Sequence, residues 1–307
     1  MTIEHTDTAA PVAPVPAVQS PFRRFAADFL ESGIARVALF TLLAIVVLAL
    51  AAPWITPQNP YDLAQVDVMD GRLAPGAEAF TGHTMWLGSD GTGRDLYSAI
   101  LYGLRISLAV GVASGGIALV IGALIGLFAA YAGGRIETII MRLVDLQLSF
   151  PAALTALILV AILGKGIDKI IVALVLVQWA YYARTVRASA LVERRKEYIE
   201  AATCLGLSHG RIVMRHIMPN CLAPLIVVGT VQTAHAIALE ATLSFLGVGL
   251  PQTEPSLGVL IANGYEYMLS CRYWISVFPG LALLLTIVSI NLVGDRLRDV
   301  LNPRLST

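Results

Sequence analysis

The sequence predicts an all-α membrane protein, a bundle of six transmembrane helices, and three observations carry that prediction. Hydrophobic residues make up 57% of the chain and charged residues 14%, with a mean hydropathy of +0.74, far from a soluble globular balance. Apolar runs fall at about 34–55, 106–131, 138–163, 170–188, 221–248 and 275–294, each near the ~20 residues that cross a bilayer as a helix. The basic residues are bunched between these runs, so a formal net charge of +0 hides an asymmetry.

That asymmetry orients the bundle. Six spans put both termini on one side. With the N-terminus cytoplasmic, only Arg72, Arg94, Arg105, Lys165, Lys169 and Arg272 of the 21 Lys and Arg lie outside. The positive-inside rule therefore predicts cytoplasmic N- and C-termini.

The chain divides into a disordered cytoplasmic tail over 1–33, a first span and extracytoplasmic loop over 34–98, a main transmembrane domain over 99–298 with a cytoplasmic loop at 189–220, and a cytoplasmic tail over 299–307. Residues up to Pro21 are rich in Ala, Pro, Val and Thr and show no periodic apolar face. The first run ends in Ala49-Leu50-Ala51, which has the look of a signal-peptidase site. It is read as a retained span because it is longer than a secretory apolar core and starts far from Met1.

The outside loop, Thr56 to Ser98, contains Pro57, Pro60 and Pro75 and several glycines, and is expected to be ordered but too short to bury a core of its own. Its glycine cluster, Gly88 to Gly93, reads as a tight turn feeding a helix cap at Asp95, with a direct substrate contact as the alternative. In the second span Gly111, Gly115, Gly122 and Gly126 are spaced four, seven and four apart and share one helical face, which predicts a packing seam. In the third, Arg142 and Asp145 stand three apart and are expected to pair within the helix. The fourth is the shortest and carries Gln178 and Trp179. The fifth holds His235, read as a satisfied interior histidine, and Glu240, which either bonds between helices or, with Ser244, lines a translocation path. Tyr273 and Trp274 precede the sixth as interfacial anchors.

The stretch Glu197 to Asn220, EYIEAATCLGLSHGRIVMRHIMPN, is the one long polar segment between apolar runs. It reads as two short helices: Gly206 suits the left-handed residue that closes the first, Ser208 suits the cap of the second, and Pro219 is expected to stop it.

Catalytic chemistry is missing. The only Gly-Lys pair, Gly164-Lys165, is followed by Gly166, so no phosphate-binding loop is present and ATP has no such site here. The five histidines are scattered, no cluster has metal-ligand spacing, and no nucleophile, base and orienting group form a set. A membrane bundle with one elaborate cytoplasmic helix pair suggests a pore driven by something docked below it.

From these residues the chain resembles the permease subunit of an ATP-binding-cassette importer, and specifically the C-type subunit of the dipeptide, oligopeptide and nickel family. Glu200-Ala201-Ala202, Gly206 and Ile217-Met218-Pro219 match that superfamily's EAA loop. Leu87-Gly88-Ser89-Asp90, Tyr102-Gly103-Leu104-Arg105, Leu243-Ser244-Phe245-Leu246-Gly247 and Asn291-Leu292-Val293-Gly294-Asp295 look like family signatures. Met218 stands where leucine is commoner, a volume-conserving change, and Ser89 where threonine is commoner.

The resemblance implies a type I importer-like bundle in the cell inner membrane, with the EAA helix as a coupling helix seated on an ATPase. Glu200, Ala201, Ala202, Gly206, Ile217 and Pro219 would serve that coupling. It also implies a second homologous permease, two ATP-binding cassette subunits that bind the ATP and Mg²⁺, an extracytoplasmic substrate-binding protein, surrounding membrane lipid, and no nucleic acid. The cargo implied is a dipeptide or oligopeptide, with glutathione-like peptides or nickel as alternatives. The competing class is an ion-coupled secondary transporter using Glu240 or Asp145.

Overall fold

The computed structural model describes residues 20–80, 82–254 and 256–301; the outermost parts of the two expected tails, 1–19 and 302–307, lie outside the described residues. The helices are α1 (Pro21–Glu31), α2 (Gly33–Ile55), α3 (Leu96–Ala132), α4 (Gly134–Ser149), α5 (Ala152–Leu163), α6 (Ile167–Glu193), α7 (Glu197–Cys204), α8 (His209–Ile212), α9 (Met218–Phe245), α10 (Leu257–Tyr265) and α11 (Trp274–Leu301). A two-residue hairpin, β1 (Ala77–Glu78) with β2 (Thr84–Met85), sits in the loop before α3. The architecture is the expected helical membrane bundle.

Five helices are long and apolar enough to cross a membrane alone: α2, α3, α6, the continuous stretch His209–Phe245 and α11. The third expected span, 138–163, is a correction. It is broken into α4 and α5, which meet at 92°. Pro151 has no N–H to donate and pushes Phe150 out of helical geometry, to φ −88° and ψ 141°. Composition records that both halves are apolar and is silent about the angle between them.

The 37-residue α3 is the centre of the bundle. At 1.5 Å per residue it is ~55 Å long, well beyond a ~30 Å hydrocarbon layer, so its ends reach into the lobes on both sides. Its glycine face fills the angle between two neighbours. A Cβ on Gly111 would sit 2.6 Å from the Ile237 side chain of α9, and one on Gly126 would sit 2.3 Å from the Ala183 carbonyl of α6. Here three helices approach closely because the facing positions of α3 are glycines.

Residues 21–31, expected within the disordered tail, form α1 instead. PFRRFAADFLE repeats its apolar residues at helical spacing, and Phe29 is buried with Ala35, Ala38 and Val293 between α2 and α11. The Arg296 guanidinium bonds the Asp28 carbonyl and ties α1 to the end of α11. α11 runs on to Leu301, so 299–301, expected as the start of the C-terminal tail, are helix. α1, the C-terminal ends of α3, α6 and α11, and α7–α8 mark one end of the bundle; the hairpin loop and α10 mark the other.

At the loop end the glycine cluster does feed a helix cap. Asp95 accepts from the Ser98 N–H at 2.9 Å, and Asp90 accepts from the Thr92 and Arg94 N–H groups at 2.8 and 3.0 Å, closing the turn before it. Asp90, Arg94 and Asp95 are all buried. The Arg94 guanidinium donates to the Gln252 carbonyl at 3.0 Å, pinning the loop to the segment between α9 and α10.

Candidate functional site

At the terminal end of the bundle, Lys196 to Asn220 folds into one compact lobe. α7 ends in a paired carbonyl-capping turn: the Leu207 N–H reaches the Ala202 carbonyl at 3.2 Å and the Gly206 N–H reaches the Thr203 carbonyl at 3.0 Å. This Schellman arrangement needs a left-handed residue after the helix, and Gly206 supplies it with φ +72°. Nothing lies within 4 Å of where its Cβ would be. Ser208 stands at the start of α8 as expected, yet its hydroxyl makes no capping bond.

Pro219 does not stop the second helix, contrary to the sequence expectation. Val213–Ile217 widens into a π turn, and the Met218 N–H bonds back to Val213. Pro219 falls in the first turn of α9, where a missing N–H and a fixed φ cost little, so helix runs on from α8 into the long span.

The EAA residues split between two faces. Glu200, Ala201 and Gly206 are exposed, and Leu205 beside them is 80% exposed. Ala202 and Ile217, expected with them as coupling residues, are instead buried at 6% and 2%, packed with Ile199 and Ile212 against Leu127, Val186 and Ala190 of α3 and α6. Residues 201 and 202 are about 100° apart on a helix, so only one can face outward. A cleft of about 450 Å³ between the lobe and the end of α3 is lined by Glu200, Thr203, Cys204, His209 and Tyr131.

Polar braces the sequence did not single out fix this lobe to the spans. The Arg194 guanidinium donates to the Ala130 and Tyr131 carbonyls at 3.0 and 3.3 Å, capping the end of α3, and lies over the Tyr131 ring. The Tyr131 hydroxyl meets His209 Nδ1, their rings edge to face at 5.5 Å. Glu193 of α6 accepts from the Tyr198 hydroxyl at 2.7 Å and from Lys196 at 2.6 Å, and Asn220 donates to the same hydroxyl at 3.1 Å. Burial, then the bond to Glu193, pushes the Tyr198 phenol up to about 12, so it stays a donor. Short contacts therefore join α7 and its flanks to α3, α6 and α9.

Asp145 does not pair with Arg142. It pairs with Arg184 of α6, and Glu137 takes Arg187 at 2.8 Å, so both acids of α4 are used between helices. Pairing across the α4–α6 contact neutralises charge on two helices at once, which an intrahelical pair cannot do.

Glu240 and Ser244, candidates for a translocation path, are both sealed inside the chain. Glu240 is 0% exposed and accepts from Ser107 of α3 at 2.9 Å and from Ser244 at 2.8 Å, with the Ser256 hydroxyl also bonding it. Among the described residues no Lys, Arg or His forms an ion pair with it. This knot joins α3, α9 and the start of α10 and makes the interhelical hydrogen bond that is one of the two readings of Glu240.

Open space lies elsewhere. A cavity of about 790 Å³ between α4, α6, α9 and α11 is lined by residues including Tyr181, Arg184, Gln232, Asp295 and Arg298. A second, of about 420 Å³, continues along α9 past Gln232, His235 and Asn291. Gln232 escaped the sequence reading and Asn291 entered it only within a family signature, although a polar side chain inside an apolar run is the signal that finds both.

A family model described as binding-protein-dependent transport system inner membrane component matches residues 122–307, and one described as the N-terminal TM domain of oligopeptide transport permease C matches residues 20–75. The di/tripeptide transport system permease protein of Pseudomonas aeruginosa is 37% identical over 287 residues, 93% of each chain. The dipeptide transport system permease protein of Alkalihalophilus pseudofirmus is 34% identical over the full length of both chains. The glutathione transport system permease protein of Pectobacterium atrosepticum is 37% identical over 97% of this chain and 96% of that one. A chain of the inward-facing MetNI methionine ABC transporter superposes with a TM-score of 0.54 at 20% identity, covering 66% of this chain and 96% of its own, a likeness of fold.

Proposed function

The chain belongs to the family of binding-protein-dependent transport system inner membrane components, and from that premise we propose that it carries peptides, as half of a translocation pathway completed by a second homologous permease. It is a multi-pass inner-membrane permease subunit of an ATP-driven importer. In our reading both termini are cytoplasmic, as the distribution of Lys and Arg supports. One of two cassette ATPases docks on the lobe at Glu200, Ala201 and Gly206, the other on the second permease, and an extracytoplasmic binding protein delivers cargo at the loop end. ATP and Mg²⁺ belong to the partners.

One observation carries the coupling role: α7 presents an exposed face around Leu205 and Gly206 whose opposite side is braced to α3, α6 and α9. ATPase closure can then move the spans as rigid levers. Ala202 and Ile217 serve this as the packed inner side of the lobe, not as contacts to the partner. The ion-coupled alternative gains nothing from Glu240 or Asp145, since three hydroxyls hold the one and Arg184 the other.

The test is Gly206→Asp against Gly206→Asn. Both residues tolerate a left-handed backbone, and neither Cβ meets this chain. Membrane insertion is expected to be intact in both, with ATP-dependent uptake of a labelled tripeptide lowered most in the aspartate variant. Wild-type uptake by Gly206→Asp would refute the docking role.

A further inference from the structure

We infer that Gln232, with Tyr181, His235 and Asn291 around it, forms the wall along which the cargo passes, and that the Gln232 side-chain amide pairs with peptide groups in transit. This rests on the peptide reading above. Gln232 and His235 stand one turn apart on α9, Tyr181 projects from α6 and Asn291 from α11, and all four line the cavity of about 420 Å³. Tyr181 and Gln232 also line the cavity of about 790 Å³ that runs on to Arg184, Asp295 and Arg298 at the terminal end. Polar side chains within spans face bundle interiors or wet cavities, and four converge here from three helices. The smaller volume is in the range of pockets that hold small ligands.

Gln232 is the most telling of the four. It is 7% exposed, and its backbone carbonyl accepts from the Gln178 amide at 3.0 Å. Its own side-chain Oε1 is buried with no hydrogen-bond partner among the described residues. Buried amide oxygens are ordinarily satisfied, so an orphaned one on a side chain at the cavity wall is a place for a donor that comes and goes once the amide turns toward it. A carboxamide has both the donor and the acceptor of a peptide group. Asp, Glu, Lys and Arg are absent from the lining of the smaller cavity, while the larger one holds both signs. A neutral wall suits cargo whose side chains and termini vary but whose peptide group does not. A single histidine is a poor binding set for a nickel ion, which that reading would need to be held by several imidazole, thiolate or carboxylate ligands.

The experiment uses the complete complex in proteoliposomes with its binding protein and ATP. Gln232→Leu keeps volume and removes the amide; uptake of a labelled tripeptide is expected to fall roughly tenfold, the worth of one neutral hydrogen bond. Binding-protein-stimulated ATP hydrolysis should remain, which a merely structural role would not allow, and Gln232→Asn should restore most of the uptake. In a second arm, Gln232→Cys is made in a chain whose Cys204, Cys221 and Cys271 are replaced; a charged, water-soluble thiol reagent should label it, and tripeptide with ATP should slow the labelling. Full uptake by Gln232→Leu, or a Gln232→Cys that stays unlabelled, overturns the inference. A wild-type complex that takes up no peptide, while Gln232→Cys is labelled, overturns the cargo class itself.

Discussion

An alanine at Gly122 would put its Cβ 2.4 Å from the Trp179 carbonyl oxygen and 2.6 Å from the Tyr182 Cβ. Ordinary Cβ contacts begin near 3.4 Å, so α3 and α6 must separate locally by about 1 Å. The obstacles are a helix backbone and a Cβ, neither of which can swing aside. Overpacking of this kind costs up to ~3 kcal/mol, and the helix-propensity gain of alanine over glycine returns ~1 kcal/mol, leaving a net loss of ~2 kcal/mol. Gly116, on the same helix, has nothing within 4 Å of its Cβ position, so Gly116→Ala should keep the whole propensity gain. At roughly 2–4 °C per kcal/mol, the midpoint of thermal unfolding in detergent should fall by about 4–8 °C for Gly122→Ala and rise by a few degrees for Gly116→Ala. Equal midpoints for the two variants would refute the argument that the glycine face is a contact surface rather than a composition effect.

Other perturbations probe separate parts of the reasoning. Glu240→Gln should keep its serine contacts, with one hydroxyl turning to accept from the new amide N–H, and leave ATP-dependent uptake close to wild type, whereas Glu240→Ala opens a buried hole and strands hydroxyls, destabilising by about 2–4 kcal/mol in a denaturation assay; uptake abolished by Glu240→Gln would instead mark a titrating role. Asp95→Ala removes the cap of α3 and should cost ~1 kcal/mol, with faster proteolysis of the loop before it, and Asp95→Asn should largely rescue both. Double-mutant cycles should give a coupling of about 1 kcal/mol for the partly buried Glu137–Arg187 pair and less than about 0.5 kcal/mol for the exposed Asp145–Arg184 pair, since solvent screens the second; the reverse order would mean that exposure does not govern these bridges.

The amino-acid sequence by itself determined the membrane class, the approximate place of the apolar segments, the glycine face of α3, the cap at Asp95 and the turn at Gly206. Each depends on a local property: the hydropathy of a run, the spacing of residues along one helix, or the backbone freedom of a single residue. The tertiary structure alone decided how these parts meet. Pro151 announces a break, but the 92° between α4 and α5 is set by what the two halves pack against. Asp145 had a charge partner three residues away and took one 39 residues on, in Arg184, because the α4–α6 contact brings it closer. Glu200, Ala201 and Ala202 read as one motif, yet the third turns inward, since the face that α7 buries is chosen by Ile199, Ile212 and Ile217 together. Glu240 and Gln232 are both polar residues in one apolar helix. One is closed in by hydroxyls from α3, α9 and α10 and the other lines open space, a difference that exists only once neighbouring helices are in place.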